Sequence, residues 1–191
     1  GYLMFLRRHG EAVPGEDEAI SVVSAEHVTE GFWVGRGSPS IIFQLELDTI
    51  TSNEMARYLR WLDWARDDLV GLVKGLGPEG LDAPCPGART LREVLEHLWQ
   101  AEQWYVKNLG PRPGARRCQD ILEKLEAVRE VTRHRLSTLS DAERGGVLFY
   151  AAGPFSSPPG DPWTARKAIR RCLEHQWEHL METACRVDKQ P

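Results

Sequence analysis

An all-α, up-down-type four-helix bundle with a short N-terminal extended or β appendage is the fold class this sequence predicts, on three observations. Apolar residues recur at helical spacing in four separate stretches between residues 54 and 186. Three of those stretches open on a recognisable start signal, and runs rich in glycine and proline separate the stretches. Residues 1–50 form the extension and residues 51–191 the bundle.

In chain order, Tyr2 to His9 carries Leu3, Phe5 and Leu6 and then Arg7, Arg8, His9 and Gly10. This reads as the last turns of a helix, with basic residues at its C-terminus and a glycine just beyond. A chain that opens inside a helix is expected to be a fragment. Past Pro14 and Gly15, Ile20 to Ala25 and Ile41 to Leu47 are rich in β-branched residues and predict short extended segments. Two such segments are too few for an independent sheet, so they are expected to pack on the bundle or pair with another chain.

The first bundle helix spans about 54–76, with Met55, Tyr58, Leu59, Leu62, Leu69, Val73 and Leu76 on one face. Thr51 with Glu54 three residues on resembles a capping box. After Gly77, Pro78, Gly80, Pro84, Pro86 and Gly87, a second box, Thr90 and Glu93, opens a helix that ends near Gly110 and Pro111. The third helix covers about 115–138, and the fourth runs from about Pro162 to Arg186 with Asp161 as N-cap. The connections suit antiparallel neighbours. The exception is 140–161, where Leu148, Phe149, Tyr150 and Phe155 stand among Gly and Pro. That segment is too apolar for a solvated linker and too broken for a helix, so it is expected to fold over the bundle end or a partner subunit.

Composition narrows the function classes. A chain of 191 residues, 41% hydrophobic and 27% charged, suits one packed domain. Its net charge of -4 offers no basic surplus for a phosphate backbone, so no nucleic-acid partner is expected. No stretch reaches the roughly 18 to 20 apolar residues that span a bilayer, and no signal-peptide pattern opens the chain. The expectation is a cytoplasmic protein without a membrane partner. Cys85, Cys118, Cys172 and Cys185 are widely spaced, and the second and third fall on apolar helical faces, which predicts buried thiols and not a disulfide framework.

Three histidines carry the candidate chemistry. His175 and His179 stand four residues apart, so their imidazoles share one helical face. At about 100° per residue, Ala168, Cys172, His175 and His179 lie within roughly 60° of one another, and Trp177 lies opposite. His97 lies within roughly 60° of Val94, Ala101 and Trp104, toward one edge of an apolar face. Three inward imidazoles suit a divalent metal and leave a position open for water or substrate. His9, His27 and His134 are expected to be ordinary histidines, with His134 on a solvated face. No catalytic residue is assigned. Glu178 rotates away from the ligand face and is not named as a base.

Arg66 and Arg135 interrupt apolar stripes, where a guanidinium needs an anionic partner. A core salt bridge is the expectation, and a bound carboxylate or thiol cofactor the alternative. Trp61, Trp64 and Trp104 read as core or interface residues, and an outward Trp177 with the aromatic 140–161 segment predicts a homodimer.

The run Thr90-Leu-Arg-Glu-Val-Leu-Glu-His97-Leu-Trp-Gln-Ala-Glu-Gln-Trp-Tyr105, with Trp163-Thr-Ala-Arg166 and Leu173-Glu-His175-Gln-Trp-Glu-His179, resembles the DinB/YfiT-like family over about residues 54–186. Tyr2 to Gly10 with Pro14, Gly15 and Glu16 also resembles the tail of a HicB-like module, from which no function is carried over. The family resemblance implies a bundle that commonly dimerises. It also implies a divalent metal held by one histidine of the second helix and an H-x-x-x-H pair of the last, which places the ligands at His97, His175 and His179. Nickel, zinc and iron all suit imidazole, and three nitrogens do not choose among them. Relatives include thiol-dependent transferases and isomerases using mycothiol, bacillithiol or glutathione, and some hydrolases. The resemblance therefore implies metal-dependent S-transferase or hydrolase chemistry on a small-molecule substrate, with a low-molecular-weight thiol as a further cofactor in the first case. The rival reading is a non-catalytic, dimeric binding module whose metal is structural or absent.

Overall fold

Each long helix begins where a side chain caps its free N–H groups. This computed structural model describes residues 1–15, 41–110, 114–149 and 161–187, with scattered positions between 18 and 29. Helix α1 is Tyr2–Arg8. Helix α2, Ser52–Val73, opens on the expected box: the Thr51 hydroxyl accepts from the Glu54 N–H, and the Glu54 carboxylate accepts from that of Thr51. A single-turn helix, α3 (Pro78–Leu81), interrupts the glycine- and proline-rich break. Helix α4, Leu91–Lys107, opens on the Thr90–Glu93 box.

Helix α5, Ile121–Ser137, starts later than its apolar spacing suggests. The Asp120 carboxylate, which accepts from the N–H groups of Leu122 and Glu123, sets the start. Cys118 therefore precedes the helix and is half-buried in the connection, not on a helical face. Cys172 is buried as expected, and all four cysteines are free thiols.

Two further boundaries differ from expectation. The 140–161 connection contains helix α6, Asp141–Gly145, capped by Ser140, and strand β1, Leu148–Phe149; residues 150–160 lie outside the described residues. Strand β1 pairs antiparallel with β2, Pro162–Trp163, so the last helix, α7, is Ala165–Val187. Its start is marked by Thr164 and not by Asp161: the Thr164 hydroxyl accepts from the Lys167 N–H at 3.0 Å and donates to the Glu46 carbonyl at 2.8 Å. A contact 118 residues distant in sequence thus helps decide where α7 begins.

Near the N-terminus, the extended run expected over Ile41–Leu47 is not found: Phe43 is extended, but Gln44–Leu47 is a 3-10 helix whose first turn is closed by the Glu46 carboxylate accepting from the Phe43 N–H. Positions 20, 22, 23 and 25 of the other expected extended run lie outside the described residues.

Side-chain pairs give the helix directions. Glu54 meets Arg166 and Arg66 meets Gln176, so α2 and α7 run parallel. Tyr105 meets Arg171 and the Arg89 carbonyl meets Arg186, so α4 opposes α7. Glu102 meets Arg129 and the Leu109 carbonyl meets Arg135, so α4 and α5 run parallel. The order is up, down, down, up. Of the connections between the four long helices, only that between α4 and α5 departs from antiparallel neighbours.

Two apolar clusters fill the bundle. One gathers Ile50, Met55, Leu62, Trp104, Leu136, Trp163 and Ile169 at the end where α7 begins. The other gathers Leu69, Val73, Leu91, Leu95, Ile121, Leu125 and Leu180 at the opposite end. Helix α1 joins the second cluster through Phe5 and Leu6, and Tyr2 and Phe5 lie with ring centroids 5.0 Å from Trp177. Gly10, at φ +80°, makes the turn that ends α1 in a conformation that L side chains rarely adopt. Among the described residues, no helix is long and apolar enough to cross a membrane.

Candidate metal centre

The seam between α4 and α7 brings the three expected histidines together. His97 lies two turns into α4, and His175 and His179 lie on successive turns of α7. The Nε2 atom of His175 stands 3.0 Å from Nε2 of His97 and 3.2 Å from Nε2 of His179. Among the described residues, these three form a group whose ligand atoms all lie within 4.8 Å of one another. His175 and His179 are buried, at 9% and 7% exposure, while His97 is partly open to solvent.

The electrostatics keep the rings of His97 and His175 neutral. Burial, then Arg89 and His179, lowers His97 to about 4. Burial, then His179 and His97, lowers His175 to about 3. Near neutral pH both imidazoles offer a lone pair, which a metal ligand requires. Cys172, one turn before His175, is not part of the group, and burial pushes its thiol well above the usual range.

Two of the three nitrogen pairs have the spacing that one cation's ligands take. Nitrogens bound at about 2.0 to 2.1 Å to one tetrahedral ion stand roughly 3.3 Å apart, and at the cis positions of an octahedral ion roughly 3.0 Å apart. The two close pairs here, at 3.0 and 3.2 Å, have that spacing. A neutral imidazole nitrogen carries one hydrogen or one lone pair, so His175 Nε2 satisfies one of its two neighbours and leaves the other unsatisfied.

Around the cluster, the His179 Nδ1 atom lies 2.7 Å from the Glu182 carboxylate. Glu182 is also paired with Arg186, whose second nitrogen donates to the Arg89 carbonyl at 2.5 Å. On the other side the Tyr105 ring lies 5.8 Å from that of His175, and Arg171 donates to the Tyr105 hydroxyl at 3.2 Å. A polar hollow of about 230 Å³, lined by Arg89, Glu93, Glu96, His97 and Gln100, opens at His97.

The remaining histidines stay apart. His9 stacks on Trp64 at 5.0 Å and meets Asp68, while His27 and His134 are exposed. Glu178 is exposed as well. Arg66 and Arg135 have found protein carboxylates, Glu102 and Glu143. Trp104 is core; Trp61 and Trp64 are half-buried.

Sequence reasoning missed four residues. Glu182 stands three residues after His179, one turn further along the face, so extending the histidine spacing would have found it. Glu102, Arg129 and Gln176 join Arg66 in a buried network between α2, α4, α5 and α7. Glu102 and Arg129 interrupt the apolar stripes of α4 and α5 just as Arg66 interrupts that of α2.

Residues 62–182 match the family model of the DinB superfamily. No curated protein and no solved structure matches the chain.

Proposed function

The chain belongs to the DinB superfamily, and on that premise we propose that it holds a divalent ion on His97, His175 and His179 and acts as a metal-dependent enzyme on small molecules, by thiol-dependent S-transfer or by hydrolysis. The convergence of three Nε2 atoms from two helices is the observation that carries this reading. An ion bound by three imidazoles keeps at least one position open and lowers the pKa of a thiol or water bound there, which supplies a nucleophile near neutral pH. The protein's own part is to present neutral imidazoles, keep two of them out of bulk water, and admit a small molecule at His97 through the polar hollow.

Metal analysis of the purified protein tests the site. The wild type should carry about one ion per chain, and His175→Ala should lose it; full metal content in that variant would remove the assignment. With cobalt or nickel in place, a low-molecular-weight thiol should produce a charge-transfer band if the chemistry is thiol-dependent. A hydrolase would turn over esters or amides without added thiol. A holoprotein that does neither is better described as a binding module.

The proposal includes a homodimer. Trp177 gives it no support, because α1 covers that ring. The support comes from Leu45 and Leu47 of the 3-10 turn before α2 and from Val147 and Leu148 at β1, all exposed apolar residues. Sedimentation giving only a 21.6 kDa species at micromolar concentration would remove it.

A further inference from the structure

We infer that Glu182, held by Arg186, is a positioning residue that sets the metal affinity of the histidine cluster by fixing the ring of His179. This inference rests on the three-histidine reading above.

Among the described residues, His179 is the one member of the cluster whose second ring nitrogen meets a carboxylate, with Nδ1 at 2.7 Å from Glu182 Oε2. An ionised carboxylate only accepts, so the hydrogen of this bond sits on Nδ1. In the neutral ring that leaves Nε2 with its lone pair, and Nε2 is the atom that faces His175 at 3.2 Å. The bond therefore selects the tautomer, restricts rotation of the ring, and adds electron density to the ligating nitrogen.

Glu182 is itself restrained. Its other oxygen, Oε1, is paired with Arg186 one turn further along α7. Arg186 reaches across the seam to the carbonyl of Arg89, the residue just before the Thr90 N-cap of α4. From Thr90, two turns of α4 lead to His97. The chain His179, Glu182, Arg186, Arg89 carbonyl thus ties the two helices that contribute histidines, and it does so outside the cluster. His97 and His175 have no such support in the described residues, so loosening this one chain should be felt at the metal.

Zinc affinity, measured on the full chain by competition with a chromophoric chelator, tests the inference alongside ¹⁵N NMR of the metal-free histidine rings. Glu182→Ala should bind zinc about 10- to 100-fold more weakly than wild type with an unchanged far-UV spectrum, because the Glu182 side chain is 32% exposed and carries little of the core. Glu182→Gln keeps an acceptor without the charge and should recover part of the loss, and Arg186→Ala should weaken binding less than Glu182→Ala. The wild-type His179 ring should carry its proton on Nδ1, and Glu182→Ala should abolish that preference. Undiminished zinc affinity in Glu182→Ala, or an Nε2-protonated His179 in the wild type, overturns the role of Glu182 and leaves the three-histidine site standing. A wild type that binds no zinc, nickel or iron overturns the metal reading and this inference with it, while the NMR result still reports whether the Glu182 bond exists.

Discussion

Two sets of polar side chains lie inside this bundle, and they differ in what faces what: opposite charges in one, imidazoles in the other. In the network between the two apolar clusters, Glu102 accepts from Arg66 at 2.8 Å and from two nitrogens of Arg129 at 2.9 and 3.0 Å. Arg66 also donates to the Gln176 side chain and the Leu125 carbonyl, and Arg129 to the Leu62 carbonyl. Asp63, at 3.4 Å from Arg129, adds a second negative charge at the rim. The histidine cluster holds three rings whose facing nitrogens cannot all be satisfied by one another. The first set pairs its charges within the protein and ties four helices together, although Gln176 Nε2 has no partner there. On the proposed reading an ion completes the second, and the contrast then separates a structural polar group from a functional one.

The contrast breaks most clearly at Glu102. Burial pushes this carboxyl up, but Arg129 and Arg66 outweigh it and hold it at about 2. Glu102→Ala leaves two buried guanidiniums without their carboxylate and should cost about 3 to 5 kcal/mol, or roughly 6 to 20 °C in thermal midpoint. Calorimetry showing a shift below a few degrees would mean that the network contributes little.

The same carboxylate sharpens the comparison in acid. Its pKa in the folded chain lies below the ordinary value of 4.5, so its contribution is fully present above about pH 4.5 and is lost as pH falls through about 2. Thermal midpoints measured between those limits should fall steeply in the wild type and less steeply in Glu102→Gln. Equal slopes would remove Glu102 as the source.

Thr164 tests whether the start of α7 is shared by both regions. Thr164→Ala removes the cap and its buried bond to the Glu46 carbonyl, at about 1 to 2 kcal/mol, while metal content should stay at one ion per chain. Lost metal with a retained fold would show that the cap also aligns the histidines.

The smallest stability effect is expected where the effect on metal is largest. In metal-free protein, His175→Ala should move stability by less than about 1 kcal/mol, because it removes a ring nitrogen that its neighbours cannot fully satisfy. A loss of about 3 kcal/mol by chemical denaturation would instead place the cluster with the ion-paired network, as a structural feature.

Local chemistry by itself determined the four bundle helices, the capping boxes at Thr51 and Thr90, and the shared face of His175 and His179, because each depends on residues within about one turn of one another. It also marked Arg66 as needing a carboxylate. Tertiary structure decided which carboxylate that is, since Glu102 lies 36 residues away and is brought to Arg66 by helix packing. It likewise decided the start of α7 at a threonine whose hydroxyl bonds the distant Glu46 carbonyl, and the 3-10 turn at Gln44–Leu47 in place of an extended run. The covering of Trp177 by α1 belongs to the same class. So does the meeting of His97 with His175 across 78 residues, because periodicity states which face a side chain is on and only packing states what that face meets.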